Sequence, residues 1–81
     1  LGGRDCEVEL LCQNELEGNI IDRFGELVPT EIVDENHFKV TVTVALSNNF
    51  YGWVFASAGN IQILSPPEAI TEFRQLLSHY E

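Results

Sequence analysis

Two histidines, two cysteines and thirteen carboxylates are the residues of this chain with chemistry to offer. Nucleophilic catalysis needs a base positioned beside its nucleophile. His37 falls in a turn between two strand-like runs and His79 near the C-terminal end, and neither has a serine placed beside it. Both are expected on the surface, where His79 suits the negative end of a helix. Paired carboxylates act as acid and base, or hold a hard cation. Glu7 and Glu9 share one face of a strand, and Asp34-Glu35 share a turn. No cation-loop pattern surrounds either pair, so both read as solvated charge, with a divalent ion at Glu7 and Glu9 as the rival reading. Cys6 and Cys12, if both lie in one strand, stand ~20 Å apart at ~3.3 Å per residue. A disulfide needs Cα atoms within ~7 Å. No histidine has ligand spacing to either, so they read as buried inert thiols, which fits a cytoplasmic protein. Gly2-Gly3, Gly25 and Gly59 have no phosphate-cradling spacing, and no metal or cofactor is implied.

The richest local feature is Phe50-Tyr51-Trp53-Phe55. One short helix cannot bury four rings on a single face. Phe50 and Trp53 are expected in the core; Tyr51 and Phe55 are expected outside, as a ligand or partner surface. The charge balance excludes one class of ligand. Arg4, Arg23, Lys39 and Arg74 face thirteen carboxylates, for a net charge of −9. Nucleic-acid affinity comes mostly from Lys and Arg on phosphates, so the chain alone should bind duplex poorly.

These residues have to be positioned by one small domain. The chain has 81 residues, 44% of them hydrophobic, enough for a single core. No apolar run approaches the ~20 residues of a membrane span. Methionine is absent and no signal peptide is evident, so the expectation is an excised domain over 5–81 with a tail, in part a cloning remnant, over 1–4.

Cys6, Val8, Leu10 and Cys12 alternate with Glu7, Glu9 and Leu11, the period of a strand with one buried face. Leu16, Ile20 and Phe24 share a helix face widened by Ile21. Asn14 is the expected cap and Gly25 the stop, while Gly18 weakens the helix or delays its start. Thr30–Val33 and Phe38–Leu46 form a hairpin around Asp34-Glu35-Asn36, with Phe38, Val40, Val42, Val44 and Leu46 on one face. Ser47-Asn48-Asn49 caps a helix over Phe50–Ala58, and Gly59-Asn60 ends it. Ile61–Leu64 is a strand. Ser65 is the expected cap of a last helix whose inward stripe is Ala69, Ile70, Phe73, Leu76, Leu77 and Tyr80. The order β-α-β-β-α-β-α defines an α+β chain: a ferredoxin-like split β-α-β sandwich with an added C-terminal helix, and Phe38–Leu46 central in its sheet. The second sheet face, carrying Glu7, Glu9, Lys39, Thr41 and Thr43, is wet or a docking surface.

Ile21-Asp22-Arg23-Phe24-Gly25, the strand Phe38 to Val44, Phe50-Tyr51-Gly52-Trp53 through Gly59, and Ile63-Leu64-Ser65-Pro66-Pro67 fall in one order. This order resembles the C-terminal extension (WCX-type) domain of WYL-domain-containing bacterial helix-turn-helix transcription regulators, from about Cys6 to Tyr80. The resemblance implies a non-catalytic regulatory domain. Its parent would also carry a WYL domain and a DNA-binding domain, both absent here. The extension would serve homodimer contacts or effector-signal relay, reach DNA only through the parent, and have no membrane role. It carries over no catalytic residue. Arg23, the one cation in the matched helix motif, is the candidate for an anionic ligand or acidic partner; the plainer reading pairs it with Asp22 or Glu26. Two rivals use a similar fold. A stand-alone ACT-like small-molecule sensor rests on fold analogy alone. An acylphosphatase-like hydrolase needs a phosphate nest with an arginine, and Gln13-Asn14 after the first strand offers neither glycine nor arginine.

Overall fold

The computed structural model describes residues 5–80; the expected tail over 1–4 lies outside the described residues. The chain is α+β, with a four-stranded antiparallel sheet and three α-helices in the expected order. Strand β1 is Asp5–Gln13, followed by a 3-10 turn, Asn14–Leu16, and helix α1, Glu17–Phe24. Strands β2, Thr30–Ile32, and β3, His37–Ala45, form the hairpin. Helix α2 is Asn48–Ala56, strand β4 is Ile61–Ser65, and helix α3 is Pro67–Ser78. The sheet order is β2-β3-β1-β4, which makes the Val- and Thr-rich β3 an interior strand.

Alternation decides which residues go inside. Along β1, Val8, Leu10 and Cys12 are fully buried and lie opposite Val42, Val40 and Phe38 of β3. Ile20 of α1, Phe50, Tyr51 and Val54 of α2, Ile61 of β4 and Ala69 of α3 complete one buried cluster, so the helices cover a single face of the sheet.

The differences from expectation are local. Asn14 does not cap α1, because the hairpin turn reaches it first: its side chain donates to the Glu35 carbonyl at 2.9 Å and its backbone N–H to that of Asn36 at 2.9 Å. The helix therefore starts late, at Glu17, with no side-chain cap. Gly25 ends it at φ 88°, a sign of φ that glycine adopts without cost. Ile21 does not join the buried stripe; it is exposed. Ser47 caps α2 as expected, accepting from the Phe50 N–H at 3.3 Å. Ser65 does not cap α3. It belongs to β4, its hydroxyl donates to Glu9 at 3.2 Å, and Pro66 takes the cap position. Tyr80 falls beyond the end of α3 and is exposed rather than part of the inward stripe.

Candidate interaction surfaces

The four rings of the α2 region divide by helical spacing. Tyr51 and Phe55, four apart, share the side toward α3; Trp53 points toward α1. Tyr51 corrects the expectation of exposure. It is 4% exposed, stacks on Phe73 of α3 at 5.9 Å, and donates its hydroxyl to Glu72 at 2.6 Å. A buried tyrosine needs such a partner, and Glu72 lies 21 residues downstream, so no local pattern announced it. Phe55 is 61% exposed as expected and stacks on the still more exposed Tyr80 at 6.4 Å. Trp53 is only half-buried. It meets the edge of Phe24 at 5.4 Å, and the Arg23 guanidinium lies over it at 4.9 Å. Arg23 therefore rests on aromatic faces. The three candidate residues do not converge: Arg23 sits at the α1 side of α2, Tyr51 inside the α2–α3 contact, and Phe55 at its outer edge.

Glu7 and Glu9 form no paired site. Glu9 accepts from Ser65 and faces Lys39 at 3.6 Å, and Lys39 also reaches Glu31 at 3.6 Å. Among the described residues, no three His, Cys, Asp or Glu side chains are grouped to hold a metal ion. Among the described residues this sheet face carries no helix, and Lys39 links Glu9 and Glu31 across its strands.

His37 is better held than its place in a turn suggested. Its Nδ1 donates to Asp34 at 2.8 Å and its Nε2 accepts from the Gln13 amide at 3.1 Å. Both ring nitrogens are engaged, which leaves neither for a nucleophile. The His37 hydrogen bond, then the Asn36 backbone N–H, lower the Asp34 carboxyl below its ordinary value. The Asp-x-x-His spacing was the available signal for this staple. His79 is exposed at the end of α3, as expected. Both cysteines are free, and Cys6, near the start of β1, is only half-buried rather than buried as expected. Cys12 is fully buried and its thiol is pushed up to about 11 by desolvation, which keeps it protonated and inert at neutral pH.

Two grooves between elements bear on binding. The first, about 840 Å³, runs between α1 and the edge strand β2. The second, about 490 Å³, lies between α2, β4 and α3, lined by Phe55, Ile63, Ile70, Phe73 and Leu77 with Arg74 as the charged residue on its wall. No helix among the described residues is long and apolar enough to cross a membrane.

Helices over one face of an antiparallel sheet, an open polar face opposite, and two grooves between elements define a small two-layer α+β domain built around surfaces. Residues 4–80 match the WCX domain family, and the chain belongs to it. No curated protein and no solved structure matches the chain.

Proposed function

We propose that this chain is a non-catalytic accessory domain of a transcription regulator, contributing self-association or effector-signal relay to a parent that also carries a WYL domain and a DNA-binding domain. The observation that carries the reading is the WCX family match over residues 4–80. The parent reaches DNA through its other domains and works in the cytoplasm. The finer fold reading, a ferredoxin-like split β-α-β, is supported by β3 lying between β1 and β2 in the order β2-β3-β1-β4.

Charge selects where two copies would meet. A chain of net charge −9 repels itself over most of its surface. Among the described residues, no carboxylate lines the α2–β4–α3 groove, which is flanked by the exposed Phe55. Desolvating that ring on association is worth about 1.5–3 kcal/mol at full burial. The test is sedimentation of the full parent, with and without Phe55→Ser. A wild-type dimer that Phe55→Ser weakens by about tenfold supports the reading. A parent that stays monomeric at high concentration refutes it.

A further inference from the structure

The geometry points to the groove between α1 and β2 as a docking site for a basic amphipathic helix of a partner protein. This inference is independent of the regulator reading and uses the opposite edge of the sheet, β2 rather than β4, from the Phe55 surface. The helix layer leaves a gap there. Ile32 of β2 lies opposite Phe38, so it is on the side of the sheet that the helices cover, yet it is 85% exposed. Ile21, on the flank of α1 along the same groove, is 37% exposed. Between them Ile20, Val28 and Phe38 line the floor. An apolar row on the covered side of a sheet is normally closed by a helix, and a helix lying beside α1 would complete this layer.

The charge on the walls selects the occupant. Glu17 and Glu26 line the α1 side; Asp34 and Glu35 line the hairpin side, while the Glu31 carboxylate turns to Lys39 on the open face. No lysine or arginine lines the groove among the described residues. Arg23 is laid over Trp53, and Lys39 is held by Glu9 and Glu31. A second copy of this acidic chain would bring carboxylates against carboxylates. A helix with one apolar stripe and Lys or Arg on both flanks would set the stripe on Ile21 and Ile32 and its cations against the two walls.

The test is calorimetric titration of the full chain with a helical Leu/Lys peptide of about 18 residues, its leucines spaced i, i+3, i+4, i+7. A Leu/Glu peptide of the same spacing is the charge control. Ile32→Ser leaves the fold intact because the side chain is already exposed, and it is expected to weaken the Leu/Lys complex by about tenfold or more. The double variant Glu26→Lys, Glu35→Lys should lose the Leu/Lys peptide, and Phe55→Ser should bind it like wild type. Equal binding by Ile32→Ser and wild type, or equal loss in Phe55→Ser, would make the attraction diffuse and overturn the proposal. So would a chain that is dimeric alone and monomeric as Ile32→Ser, because the groove would then belong to a second copy.

Discussion

Cys12 and Asp34 each make stability depend on pH, at opposite ends of the scale. The Cys12 thiol holds its proton to about 11 in the folded chain, against 9.0 in the open one. Between those values the unfolded chain binds fewer protons, so stability present below pH 9.0 is lost as pH rises toward 11. Asp34 works in the other direction. Its folded value lies below 3.8, so its contribution is present above pH 3.8 and is lost as pH falls through the folded value. Denaturation curves against pH should show wild type losing ground to Cys12→Ala on the alkaline side and to Asp34→Asn on the acid side. Unchanged differences across both ranges would disprove the two assignments. Single residues were only partly legible in the sequence. Cys12 was readable because its burial follows from strand alternation. Tyr51 was not, because its hydroxyl partner Glu72 belongs to an element packed on it from far along the chain.

Elements were read more reliably than their ends. The alternation along β1 and β3 and the stop at Gly25 depend on neighbours in sequence. The late start of α1 and the cap of α3 depend on Glu35, Asn36 and Glu9, which sequence spacing does not bring near. Two glycines offer a clean test of local backbone preference, since an added Cβ at Gly18 or Gly59 meets nothing within 4 Å. Gly18 lies inside α1, and Gly18→Ala should stabilise the fold by about 0.5–1 kcal/mol. Gly59 has φ 88°, and Gly59→Ala should cost about 1–2 kcal/mol through backbone strain alone. Urea unfolding of the two variants reads both signs; effects of the same sign would contradict the local argument.

At the scale of the whole molecule, the order of segments carried the family, while the grooves were not legible. A groove is what two elements fail to fill, and the sequence of each element says little about the space between them. Net charge was legible, and it has a consequence. A chain of −9 is held together against its own repulsion, so salt should raise its melting temperature by screening. A melting temperature that falls on going from about 0.05 to 0.5 M sodium chloride would show that paired charges such as Lys39 with Glu9 and Glu31 outweigh the net repulsion.

Trp53 is the single tryptophan of the chain, and it sits where α1 meets α2 with an arginine over its face and the Phe24 ring perpendicular to it. The molecule thus contains its own optical reporter. Indole emission responds to nearby charge and to wetting, so its colour and intensity track the seating of α1 on α2. Displacement of α1 changes the light without any attached dye, and events confined to the far side of α3 leave it dark to the observer.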